Sequence, residues 1–264
     1  MKSDSIGIFD SGVGGVTVIK ELINVLPDEN YLYFGDTARV PYGEKTEEEL
    51  VSFSREILNW FKTKNVKMVL MACNTSSAVT LKVVQNEYDF PIIGLIEPTA
   101  EYISKINVKK VGLMATTATV NSKSYTNSAE KYGIKIVDVA CPGLVEIVES
   151  GKISTVEAKE KISPYLKKLL DENVEKIILG CTHYPFLEND MIELGCESSM
   201  FINPAECLVQ KALEVLQERN LKNHTGGSVK YFVSANPDNF VKNAQKLVEN
   251  CDYANLIDLK RPTK

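Results

Sequence analysis

The chain has 264 residues, 44% of them apolar and 25% charged, with a formal net charge of −5 and a pI near 5.3. That length buries roughly three quarters of the surface exposed on unfolding, so the chain needs no disulfide or metal staple to fold. The acidic balance argues against a general nucleic-acid binder, and no apolar run approaches the ~18 residues of a membrane span.

The first ten residues carry Asp4 and reach Asp10 without the apolar core of a signal peptide. Six cysteines, separated by 68, 40, 15, 11 and 44 residues, contain no Cys-x-x-Cys and do not describe a secreted disulfide scaffold. The expectation is a globular, cytoplasmic protein.

Along the chain, β-branched runs predict strands at residues 5–9, 31–34, 67–72, 91–96, 108–115, 134–140, 176–180, 200–202 and 229–233. Several are continuous apolar runs, as parallel strands covered on both faces require. Helices fall between them. Thr46 with Glu49 reads as a capping box, and Leu50, Phe53, Ile57, Leu58 and Phe61 form one apolar stripe. Asn203-Pro204 and Asn236-Pro237 each offer a cap followed by proline at the first helical position. The alternation predicts an α/β fold with mainly parallel sheets.

Two segments share one layout: Met68 to Thr75 and Lys176 to His183, each an apolar strand, a small residue, a cysteine and a threonine-containing turn. Ile6 to Ser11 recurs in kind as Val111 to Thr116, and Asn30 to Phe34 as Lys135 to Val139. This is a weak internal repeat of about 105 residues. It predicts two pseudo-symmetric α/β domains with the active site in the cleft between them: residues 1–97 with 207–264, and residues 98–206. The stretch after Cys207 has no counterpart and is expected to pack back on the first domain.

Ligands of open parallel sheets bind beyond the carboxyl ends of the strands. Cys73 and Cys181 both fall there, at expected strand–helix junctions, where a helix N-terminus favours a thiolate. Two such thiols facing one cleft suit a reaction that removes a proton from one face of a carbon and returns one to the other. A lone buried cysteine is usually a small hydrophobe, and Cys141, Cys196 and Cys207 are read that way. The turn Asp10-Ser11-Gly12-Val13-Gly14-Gly15 lets backbone N–H groups approach an anion, but it matches no nucleotide fingerprint. His183 adjoins Cys181, whereas His224 lies among polar residues in an expected exposed loop. Cys181-x-His183 lacks further ligands for zinc, and a cysteine hydrolase built on that pair leaves Cys73 unexplained. Glu146 and Glu149 are expected three apart on a helix, with surface charge as the plain alternative to function. Pro41-Tyr42-Gly43 is a turn that either packs the loop or offers a hydroxyl to a ligand.

Taken together, Asp10-Ser11-Gly12-x-Gly14-Gly15, Pro41-Tyr42-Gly43, Ala72-Cys73-Asn74-Thr75 and Gly180-Cys181-Thr182-His183-Tyr184-Pro185 resemble the glutamate racemases of the aspartate/glutamate racemase superfamily. The likeness runs over essentially the whole chain. Aspartate racemases of that superfamily typically have glutamate where His183 stands, so the resemblance favours the glutamate branch. It implies cofactor-independent racemisation with no metal: Cys73 and Cys181 exchange the α-proton, Asp10 assists Cys73, His183 assists Cys181, and Glu149 supports the second side. Substrate contacts are implied for Asp10, Ser11, Tyr42, Gly43, Asn74, Thr75, Thr116, Thr119, Thr182 and His183. Also implied are glutamate as the small-molecule substrate, a bacterial role in peptidoglycan synthesis and a homodimer, with no nucleic-acid or membrane partner. Pro98-Thr99-Ala100 departs from the family's usual Pro-Gly-Ala. An aspartate, hydantoin or maleate enzyme of the same superfamily, or a non-catalytic amino-acid-binding regulator, are the competing readings.

Overall fold

The computed structural model describes residues 1–259. The chain forms two sheets in which every strand pairing is parallel. The first contains β1 (Ile6–Asp10), β2 (Asn30–Gly35), β3 (Met68–Met71), β4 (Ile92–Gly94), β9 (Ser228–Val233) and β10 (Ala254–Leu256), in the order β10-β9-β2-β1-β3-β4. The second contains β5 (Lys110–Ala115), β6 (Lys135–Ala140), β7 (Lys176–Gly180) and β8 (Phe201–Ile202), in the order β6-β5-β7-β8. All nine expected strands form, and β10 is added at one edge, where Ala254 pairs with Tyr231 of β9. Residues 91–96 yield a strand of only three residues because Ile96 already opens the helix Ile96–Lys105. Thr99, in the motif that departs from the family pattern, is buried in that helix, and its hydroxyl donates to the Leu95 carbonyl at 2.7 Å.

The order β2-β1-β3-β4 is repeated as β6-β5-β7-β8. β1 and β5 are therefore equivalent, as are β3 and β7, which carry the two cysteines at their ends. The segment without a counterpart adds β9 to β2, so the chain's last part completes the first sheet.

Both faces of each sheet are covered, which explains the continuous apolar runs. On one face of the first sheet, Ile6, Ile8 and Leu70 meet Val18 and Leu22 of the helix Val16–Val25 and Leu208 and Ala212 of the helix Pro204–Glu218. On the other, Phe9, Val69 and Met71 meet Ile57, Leu58 and Phe61 of the helix Glu47–Thr63. That helix starts with the expected capping box of Thr46 and Glu49. Asn203 likewise caps its helix, accepting from the Ala205 N–H at 3.1 Å. Asn236 instead adopts a left-handed conformation and makes no side-chain cap. No helix among the described residues is long and apolar enough to cross a membrane.

Candidate active site

The parallel registers set the site. Phe9 pairs with Met71, so the residues just beyond, Asp10, Ser11 and Cys73, emerge side by side at the carboxyl end of the first sheet. Ala115 pairs with Gly180, which brings Thr116 beside Cys181 at the same end of the second. The two carboxyl ends face each other across a small cavity. Ser11, Tyr42, Gly43, Cys73, Asn74 and Thr75 line it from the first half, and Thr116, Val145, Cys181, Thr182 and His183 from the second. Cys73 is 5% exposed and Cys181 7%.

Cys73 is the N-cap of the helix Asn74–Val79, and its thiol donates to Ser11 Oγ at 3.9 Å. The expectation of a thiolate favoured by the helix end does not hold for Cys73. Burial, reinforced by the nearby Asp10 carboxylate, pushes its thiol up to about 12. Desolvation of the whole side chain outweighs a six-residue helix. Cys181 does not begin a helix at all: a 3₁₀ turn, Tyr184–Leu187, follows it. Its polar neighbour is His183, whose Nδ1 lies 3.7 Å from Cys181 Sγ while Nε2 lies 2.7 Å from Glu149 Oε1. Burial opposes a charge on His183, but the hydrogen bonds with Cys181 and Glu149 prevail and hold it well above the ordinary histidine value. Burial would likewise raise Glu149, yet His183 keeps it below the usual carboxylate range.

The glycine turn works differently from the expected anion cradle. Its donors bind carboxylates of this chain: Gly12 and Gly15 N–H groups each donate to Asp10 Oδ2 at 3.0 Å, and Val13 N–H reaches Glu149 Oε1 at 3.4 Å. The glycines serve close approach. A Cβ on Gly14 would stand 2.4 Å from Thr182 Oγ1 and 2.7 Å from His183 Nδ1, and one on Gly12 2.6 Å from Glu149 Oε1. Gly43 meets Thr116 in the same way, where a Cβ would come within 2.8 Å.

Hydroxyls stitch the halves together. Thr182 donates to Asp10 Oδ1 at 3.1 Å, so its proton points away from the cavity rather than toward a bound carboxylate. Thr75 and Thr116 share a hydrogen bond at 2.9 Å, and Thr119 stands behind Thr116 at 3.0 Å. Asn74 Oδ1 accepts from Tyr125 at 2.6 Å, which leaves the amide NH₂ as its free donor. Tyr42 lines the cavity with its ring, while its hydroxyl donates to Asp36, itself paired with Arg39 at 2.6 Å.

Ten of the thirteen sequence-expected residues line the cavity, and the other three stand directly behind it: Asp10 holds Thr182, Thr119 holds Thr116, and Glu149 holds His183. Glu146, by contrast, is exposed, and so is His224. Val145 was missed. It is an apolar residue on the helix Leu144–Glu149, and only its distance of four residues from Glu149 marks it. No lysine lines the cavity, and among the described residues no cluster of three or more His, Cys, Asp or Glu side chains converges where a metal could bind.

The family model described as Asp/Glu/Hydantoin racemase matches residues 6–212. The chain belongs to that family. It is thereby an isomerase of the racemase class. It is 40% identical to the glutamate racemase of Thermoanaerobacter pseudethanolicus over 99% of this chain and 100% of that one. Among solved structures it is similar to a glutamate racemase isoform from Bacillus anthracis, with a TM-score of 0.93 and 31% identity over 98% of this chain and 99% of that one. The glutamate racemase of Francisella tularensis in complex with D-glutamate gives a TM-score of 0.91 and 29% identity over the same shares.

Proposed function

We propose that this protein interconverts L- and D-glutamate without a cofactor, using Cys73 and Cys181 as the two acid/base groups. The observation that carries the reading is the pair of thiols delivered to one buried cavity from topologically equivalent strand ends. Full-length similarity to glutamate racemases supports the choice of substrate.

In this reading Cys73, as thiolate, takes the α-proton of D-glutamate and becomes the thiol. Cys181, as thiol, delivers a proton to the opposite face and becomes the thiolate, opposite the charged His183. The roles reverse for L-glutamate. An α-proton is very weakly acidic, and a thiol held at about 12 is a stronger base, once ionised, than one at its ordinary value. Developing negative charge needs fixed donors in a dry site, and the Asn74 amide NH₂ on the cavity wall is available for it. The cavity as it stands holds only about 10 Å³, so substrate enters only when the halves part, and closure then excludes water. The domains implied are residues 1–97 with 207–264 and residues 98–206. The same reading makes the protein a cytoplasmic bacterial enzyme, a homodimer supplying D-glutamate for peptidoglycan.

The test is proton NMR of D- and of L-glutamate with the purified protein in D₂O, without added cofactor, with circular dichroism alongside. Loss of the α-proton signal and of optical activity from both enantiomers is the expected result, and it is abolished by Cys73→Ala and by Cys181→Ala separately. Loss from aspartate alone overturns the substrate. Full turnover by either variant overturns the two-thiol chemistry.

A further inference from the structure

The halves supply their thiols unequally. Cys181 has His183 within reach, backed by Glu149. The titratable groups that Cys73 faces all oppose its ionisation: the Asp10 carboxylate, the Cys181 sulfur, and the phenols of Tyr33 and Tyr42. Something must support a thiolate there if Cys73 is to act as a base.

Ser76 is fully buried in the first helical turn after Cys73, three residues along. Its neighbours have their hydroxyls engaged: Ser77 donates to the Met71 carbonyl at 2.9 Å, Thr80 to the Ser76 carbonyl at 2.9 Å, and Thr75 meets Thr116. Ser76 Oγ alone on this helix is shielded from solvent without a hydrogen-bond partner. The Cys73 side chain is the group that the Ser76 hydroxyl and N–H both favour in its charged form. An N-cap side chain can accept from the N–H three residues on, and Cys73 and Ser76 hold those two positions, although no side-chain cap bond is made in this state.

We infer that Ser76 is a positioning residue for Cys73, its hydroxyl turning to donate to the sulfur when the thiolate forms. A buried hydroxyl with no partner is costly to keep; a charged acceptor that appears once per turnover gives it one. The inference rests on the racemase reading only for its kinetic arm.

The experiment measures iodoacetamide alkylation of each cysteine between pH 8 and 10, resolved by peptide mass spectrometry, in the whole protein without substrate. Ser76→Ala should slow Cys73 alkylation about tenfold, as loss of one hydrogen bond to a charged group implies, and leave Cys181 unchanged. Ser77→Ala, which removes a neighbouring buried hydroxyl bonded to backbone, should leave the Cys73 rate alone. With substrate, kcat/KM in Ser76→Ala falls by the same factor for both enantiomers, because they are equal in free energy. The primary isotope effect on α-deuterated D-glutamate rises, while that on the L form does not. An unchanged Cys73 rate, or equal slowing of Cys73 by Ser77→Ala, overturns the assignment of Ser76. A wild-type protein that racemises nothing overturns the functional reading instead, and the alkylation result still decides Ser76.

Discussion

The two halves repeat one strand order, yet the cavity they share has two chemically different walls. On the first side the thiol belongs to the residue at a helix N-cap position and has hydroxyls for neighbours, Ser11 and Ser76, with Asp10 behind. On the second the thiol precedes a 3₁₀ turn and faces an imidazole clamped by a carboxylate. Topology reproduces the place of the sulfur because register and strand order are set by the buried faces. What surrounds the sulfur is set by the loops, and these differ between the halves. The proposed symmetric reaction thus falls to an asymmetric site, in which one thiol stands beside a charged imidazole and the other beside neutral hydroxyls.

The sharpest way to break this contrast is to remove the cation. His183→Asn should reduce kcat/KM about 10²-fold, equally for both enantiomers, since it removes a positioned group acting on a reacting thiol. Its isotope effect should rise with L-glutamate, the mirror of the Ser76 result, and a rise with D-glutamate alone would reverse the assignment of thiols to faces. Glu149→Gln acts through the same imidazole. Glu149 helps hold His183 above its ordinary value, so losing the carboxylate moves the deprotonation of His183, and with it the alkaline limb of kcat, to lower pH.

A smaller effect is expected where the walls touch. Gly14→Ala places a methyl on Thr182 and His183 together, and should cost about 1–3 kcal/mol of stability by overpacking while lowering activity. Denaturant unfolding beside a steady-state assay measures both. Unchanged stability would mean that the halves part easily at this point.

The mildest effect concerns pH. Burial holds the thiols of Cys73, Cys141 and Cys207 at about 12, against a reference value of 9.0. Above pH 9 the unfolded chain releases these protons and the folded chain does not, so stability declines as pH climbs toward 12. Each thiol contributes at most about 1.4 kcal/mol per pH unit in that window. Urea midpoints at pH 8 and pH 10, for the wild type and for Cys141→Ala, check the slope, which the variant should flatten.

Much of this was legible in the sequence because local patterns carry it. Continuous apolar runs such as Met68–Met71 are buried strands whatever surrounds them. The paired cysteine segments disclosed the repeat, and His183 announced itself by adjoining Cys181. Ser76 and Val145 did not stand out, since a serine in a helix and an apolar residue beside a carboxylate look ordinary in one dimension. The pattern of the glycine turn permits its N–H groups to approach an anion but does not say which one. Only the arrival of Glu149, 136 residues away from Val13, reveals that the donors already hold carboxylates of this chain.

The sequence by itself determined the α/β class, the doubled architecture and the two thiols, because periodicity and repetition are properties of neighbours along the chain. The tertiary structure alone decided the state of those groups: the Cys73 thiol raised where a helix end suggested it lowered, the Thr182 proton directed to Asp10, and the glycines kept small by the opposite half. Ionisation and steric fit depend on solvent exclusion and on atoms distant in sequence. Both are fixed only when the two sheets close on one cavity.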